Sequence, residues 1–345
     1  MKVAILGAGA IGLASAAHLV TRGHAPVLWS PSGKSTEPLR AGELVVEGLF
    51  AGAYRVAVAD RLADAVAGAD AVLVALPANG HRMVYDRLAE SLVPGQLVII
   101  NAHPALGGFA LAQRLAAAGR RTPIIAWGTT LLRARRTGPA AVRINTLRKR
   151  IDAASLPAGD DAALGLCAEI FGDHFTARAD LLAISLSNLN PQAHLALALT
   201  NFTRMERGEA WGQSENLTAS VARLMAGLDA ERLAMAARLG LSVRTAPEHY
   251  HLSYGIPIDR LETMAEAIRA EGPGQLGPTG IETRYVLEDA PFGLVPLVRL
   301  GEALGLDPVL HRSGLALLSA LYGRDFAAEN DLVGDLDIAA LLAGR

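Results

Sequence analysis

Short uninterrupted apolar runs, each followed by a longer segment of helical periodicity, recur through the first half of the chain. Val3–Leu6 reads as a buried strand that passes through a glycine-rich turn into a helix ending near Gly23, and Pro26–Trp29 reads as the second strand. Leu44–Leu49 and Tyr54–Ala59 read as short strands forming a hairpin. Arg61–Ala67 reads as a helix and Ala71–Leu76 as another continuous apolar strand. His81 opens the next helix, Gln96–Ile100 is a further strand, Gly107-Gly108 precede a helix, and Pro123–Trp127 gives one more strand. Continuous apolar runs belong to strands covered on both faces, and their alternation with helices predicts a doubly wound, mostly parallel sheet. The basic stretch Arg133, Arg135, Arg136, Arg143, Arg148, Lys149 and Arg150 lacks aromatic interleaving, and a solvated β-hairpin is expected between Ala141 and Ser155.

From about Asp180 the pattern changes to long helical periodicity. Pro191–Arg204, Leu217–Leu239, Ile258–Ala270 and Pro291–Leu304 are the expected helices. The fold class that follows is an α/β Rossmann domain over residues 1–179 and an all-α domain over residues 180–345.

The turn after the first strand carries chemistry. Gly7-Ala8-Gly9-Ala10-Ile11-Gly12 is a G-x-G-x-x-G between a strand and a helix. Gly7 suits a tight turn, Gly9 a close backbone approach to a pyrophosphate, and Gly12 close helix–strand packing. The first helical amides, from Ala10 and Ile11, face the phosphates with the positive end of the helix dipole. The competing reading is a glycine turn in some other α/β protein. In NAD-preferring folds an acid ends the second strand, whereas here Ser30-Pro31-Ser32-Gly33-Lys34 follows it. Ser30, Ser32 and Lys34 suit a 2′-phosphate, which favours NADP(H) with NAD(H) open; an ordinary polar turn is the alternative. Leu76-Pro77-Ala78 falls at the C-terminal edge of the sheet, where such folds bind ligands.

Composition narrows the classes. The chain of 345 residues is 51% hydrophobic with a formal net charge of −2, which argues against nucleic acid or an anionic membrane as main partner. Cys167 is the sole cysteine, so no internal disulfide forms, and its apolar helical setting reads as core. No signal-peptide pattern and no apolar run of spanning length are seen, so a cytoplasmic protein is expected.

In the second half, Asn188-Leu189-Asn190-Pro191 starts a helix, with Asn190 as expected N-cap, Pro191 at the first position and His194 one turn in. Taken alone this is a capped helix with a core histidine. Arg284 precedes Asp289-Ala290-Pro291; it reads either as a surface charge or as a fork for a carboxylate, and Asp289 as a helix-end acid. His249 and His251 have no further ligands at metal spacing and read as structural or substrate-lining, with no metal required.

These segments resemble the opine dehydrogenase family, the octopine/nopaline dehydrogenase group, over nearly the whole chain. The resemblance rests on the Gly loop, Leu76-Pro77-Ala78 with His81, Asn190-Pro191-x-x-His194, Leu228-Asp229-Ala230-Glu231-Arg232, and Arg284-Tyr285-x-x-Glu288-Asp289-x-Pro291-Phe292-Gly293-Leu294-Val295-Pro296. It implies a second domain like the C-terminal domain of 6-phosphogluconate dehydrogenase. It also implies a catalytic pair His194 and Asp289, a carboxylate-binding Arg284, and the family asparagine at Asn190. The implied reaction is NAD(P)H-dependent reductive condensation of an α-keto acid with an amino acid's amino group, with a homodimer open on family grounds. Two departures bear on which keto acid is bound. Asn101-Ala102-His103 stands where Asn-Pro-Gly is usual, and Trp127 and Arg133 replace an acid and a tyrosine. The rivals are a 2-ketoacid or β-hydroxyacid dehydrogenase of similar architecture and a non-catalytic NADP(H)-binding sensor. The first uses a lysine in the helical domain, and here no lysine follows Lys149.

Overall fold

The computed structural model describes residues 1–344, which divide into two compact units, Met1–Ser185 and Leu186 onward. The sequence pattern changes at Asp180, yet Leu181–Ser185 stays with the first unit because Leu181 and Ile184 are buried with Ala126 and Ala154.

The strands of the first unit are β1 (Lys2–Leu6), β2 (Ala25–Trp29), β3 (Leu44–Gly48), β4 (Gly52–Tyr54), β5 (Ala57–Val58) and β6 (Ala71–Val74). They continue with β7 (Leu97–Ile100), β8 (Ile124–Trp127), β9 (Leu132–Gly138), β10 (Ala141–Leu147), β11 (Ile151–Leu156) and β12 (Phe175–Ala177). Eight of them form one sheet in the order β12-β11-β8-β7-β6-β1-β2-β5, parallel except where β11 runs antiparallel to β8. From β1 the chain builds outward to β2 and β5, then returns to place β6, β7 and β8 on the other side. The crossover between β1 and β6 is therefore the topological switch point, and loops leaving those two strands are the ones such sheets use for ligands. β6, β7 and β8 are buried along their whole length, as their apolar runs require.

The remaining strands form a second sheet, β4-β3-β10-β9, that packs on the helix Ala10–Thr21. Two expectations are corrected here. Tyr54–Ala59 is not one strand: Tyr54 closes the β3–β4 hairpin, while Ala57–Val58 pairs with β2 in the main sheet. The basic hairpin is β9–β10 rather than Ala141–Ser155. β11 leaves it because Ile151, Ala153 and Ala154 are apolar enough to be buried beside β8.

The second unit is helical, with one isolated bridge between Gly212 and Leu276 among the described residues. The expected helix Pro191–Arg204 breaks at Asn201 into Asn190–Thr200 and Phe202–Glu206. Leu217–Leu239 is trimmed to Ala219–Arg238 behind a Thr218 cap. Ile258–Ala270 starts late, at Leu261, leaving Ile258 exposed. Pro291–Leu304 is a π-helical turn, Ala290–Leu294, running into Val295–Ala303. No helix among the described residues is long and apolar enough to cross a membrane.

Candidate active site

At the switch point Gly7 adopts φ +121°, and a Cβ there would collide with the Ala75 carbonyl beyond β6. A Cβ at Gly12 would strike the Gly7 carbonyl, so both glycines are dictated by close backbone approach. Gly9 differs: a Cβ there would meet nothing within 4 Å. It precedes the helix Ala10–Thr21, whose first amides no side chain caps, and the space beside Gly9 is open. Those amides and that space fit a dinucleotide diphosphate.

Nearby, Leu76 is half-buried, Pro77 exposed and Ala78 buried. This loop is pinned by His81, whose Nε2 lies 3.0 Å from the Leu76 carbonyl and whose Nδ1 lies 3.0 Å from the Tyr85 hydroxyl. A carbonyl only accepts, so Nε2 carries the hydrogen and Nδ1 accepts from Tyr85. After β2, the buried Ser30 hydroxyl lies 3.4 Å from that of Thr36, which donates to the Gly33 carbonyl. Ser32 and Lys34 are exposed, and Lys34 has no ionic partner among the described residues.

In the second unit His194 and Asp289 meet although far apart in sequence. His194 Nδ1 hydrogen-bonds Asp289 Oδ2, and both side chains are about one-fifth exposed. The meeting has a local cause. Gly293 packs so closely on Pro191 that a Cβ would collide with the proline ring. That contact draws the Asn190-x-x-x-His194 turn onto the Asp289–Gly293 turn. The latter is π-helical, a distortion that often marks functional sites.

Arg284 is mostly exposed and donates through Nε to Glu288 Oε2 at 2.5 Å, leaving its two Nη groups without a partner among the described residues. Asn190 is exposed on the turn that carries His194. It is not the N-cap: Leu189 occupies that place, and the Asn188 carboxamide accepts the Asn190 amide at 3.1 Å.

Two residues of the cluster escape sequence reasoning. Tyr285 lies against the His194 ring with centroids 3.7 Å apart, and its hydroxyl accepts from Gln213 Nε2 at 2.6 Å. Burial lifts the phenol above its ordinary value, against the Gln213 hydrogen bond, and the Asp289 charge adds to the rise. Tyr285 adjoins Arg284 in the motif, whereas nothing in the sequence marks Gln213.

The Leu228–Arg232 motif is internal. Asp229 accepts from Arg232 and from the Ala246 amide, and Arg232 also reaches the Arg244 carbonyl. Glu231 accepts from His311, which in turn meets Gln192 on the His194 helix at 3.0 Å. His251 donates to the Ile256 carbonyl, a structural contact.

Comparison with known proteins covers both units. Residues 177–322 match the alpha-helical domain of the NAD/NADP octopine/nopaline dehydrogenases, and residues 2–104 match the N-terminus of NAD-dependent glycerol-3-phosphate dehydrogenase. An opine dehydrogenase of Arthrobacter sp. (strain 1C) is 32% identical across 99% of this chain and 96% of its own. The fold resembles that of octopine dehydrogenase solved with NADH and L-arginine (TM-score 0.82, 16% identity, 100% of this chain and 98% of that one). It also resembles yersinopine dehydrogenase with NADP+ bound (TM-score 0.79, 16% identity, 100% and 99%). A PanE/ApbA family ketopantoate reductase from Ralstonia eutropha JMP134 is less similar in fold (TM-score 0.66, 20% identity, 94% and 99%).

Proposed function

The chain belongs to the opine dehydrogenase family, and from that premise we propose that His194 and Asp289 are the acid–base centre of its reaction. It is an NAD(P)-dependent oxidoreductase that condenses an α-keto acid with the amino group of an amino acid and reduces the C=N bond formed. The products are an N-(carboxyalkyl) amino acid and water. When bound, the nicotinamide supplies the hydride.

The protein's part is to hold substrates and move protons. Asp289 engages Nδ1 of His194 and so fixes its tautomer, which leaves Nε2 to exchange a proton with substrate. Nε2 gives a proton to the carbinolamine hydroxyl, which departs as water and leaves the protonated imine. Arg284, its Nε held by Glu288, presents both Nη groups to a substrate carboxylate. Asn190 offers a carboxamide one turn before His194. The coenzyme loop is Gly7, Gly9, Ala10, Ile11 and Gly12, with Leu76, Pro77 and Ala78 beside it. NADP(H) is preferred over NAD(H) in this reading, supported by the exposed Ser32 and Lys34 and the absence of an acid at the end of β2. Burial pushes the single Cys167 thiol up to about 12, so it stays unreactive.

The observation that carries the reading is the His194–Asp289 hydrogen bond. His194→Ala should lower kcat by about 10²–10⁴-fold, the usual worth of a positioned acid–base group, with NADPH affinity unchanged. Turnover near that of the unaltered enzyme would overturn the assignment.

A further inference from the structure

We propose that Arg136, on β9 of the second sheet, binds the diphosphate of the dinucleotide and holds the loop that receives it. The inference rests on the cofactor reading of the Gly7–Gly12 loop and goes beyond it. That loop contains only glycine, alanine and isoleucine, so its own side chains offer a doubly charged diphosphate nothing polar. Backbone amides and the helix end are all it contributes. Among the described residues, the side chain hydrogen-bonded to this loop is Arg136, whose Nη1 donates to the Ala8 carbonyl at 3.1 Å.

The rest of the guanidinium is braced by its own hairpin. Nε lies 3.4 Å from the Gly138 carbonyl and Nη2 donates to the Pro139 carbonyl. An arginine has five N–H groups, so one on each Nη remains to be used. Arg143, the neighbouring arginine of β10, is neutralised by Glu47, whereas Arg136 has no carboxylate partner among the described residues. Its charge stands uncompensated beside the one place in the unit built for phosphate. Such a charge-assisted contact to an anion is among the stronger hydrogen bonds a protein makes.

The placement is fixed by packing. Val142 and Ile144 of β10 are buried in one core with Leu13 and Ala17 of the helix Ala10–Thr21, which sets the hairpin against that helix. The β9–β10 register places Arg136 opposite Val142, beside the anchored position. The second sheet thus brings a cation to a loop whose sequence supplies none.

The test is equilibrium binding of NADH, NADPH and ADP-ribose to the purified protein, its Arg136→Gln and Arg136→Lys variants, with thermal unfolding of each. ADP-ribose carries the diphosphate but neither nicotinamide nor a 2′-phosphate. Arg136→Gln should weaken all three by a similar factor of about ten or more, as expected for losing a hydrogen bond to a charged group. Its unfolding temperature should fall by no more than a few degrees, because the lost hydrogen bonds to the Ala8, Gly138 and Pro139 carbonyls lie at a mostly exposed side chain, and Arg136→Lys should recover part of the affinity. Unchanged ADP-ribose binding, or a loss confined to NADPH, would overturn the proposal. Failure of the unaltered protein to bind any of the three would overturn it together with the cofactor reading.

Discussion

Tyr285 packs against the His194 ring at 3.7 Å between centroids, while Asp289 engages its Nδ1. Together they fix the imidazole in position and orientation, and such fixing is what a proton-transfer group needs. Tyr285→Phe keeps the ring and loses only the Gln213 hydrogen bond, so kcat should stay within a few-fold. Tyr285→Leu removes the ring contact, worth about 1 kcal/mol, and should lower kcat about fivefold with cofactor affinity unchanged. Equal kcat values for the two variants in steady-state assays would show that the ring contact has no catalytic part. His194 and Asp289 were singled out only by resemblance to the family's motifs; read alone, one is a core histidine and the other a helix-end acid. Tyr285 was not, since a stack between distant turns has no one-dimensional signature. Asn190 as a cap was misread because Asn188, two residues earlier, already satisfies the Asn190 amide.

Among the elements, the loop between β7 and the helix Gly107–Ala117 is strained and polar inside. Ala102 and Leu106 both adopt φ +61°, a conformation that costs a non-glycine residue energy and collects near functional sites. His103 within it is buried and accepts the Gly108 amide through Nε2 at 2.6 Å, which requires a neutral ring. Burial, and then the nearby His81, push its pKa from 6.5 down to about 3. The folded value lies below the unfolded one, so the unfolded chain takes up the proton first. This residue's contribution is therefore full above pH 6.5 and is lost as pH falls from 6.5 towards about 3. The slope is about 1.4 kcal/mol per pH unit. His103→Gln keeps an acceptor for Gly108 but cannot titrate. Denaturant unfolding at about pH 7 and about pH 5 should show the unaltered protein losing more stability than the variant. Equal losses would contradict the assignment. The strands of the main sheet were legible because a doubly covered strand must be apolar throughout. β9 was not: Leu132–Gly138 is mostly polar and exposed, and only its pairing with the anchored β10 makes it a strand.

For the molecule as a whole, strand order places the Gly loop and the Leu76–Ala78 loop on either side of one switch point. The second unit independently joins two turns into a histidine–carboxylate pair. That plan was readable from the alternation of patterns and from motifs. The second sheet was not, because β3 and β4 are separated from β9 and β10 by most of the main sheet. The central claim is that the protein reduces a C=N bond made from two substrates rather than a carbonyl. The most direct test follows NADPH and NADH oxidation with an α-keto acid alone, an amino acid pool alone, and both together. The account predicts oxidation only when both are present. Equal oxidation with the keto acid alone would make the protein a simple ketoacid reductase and contradict it.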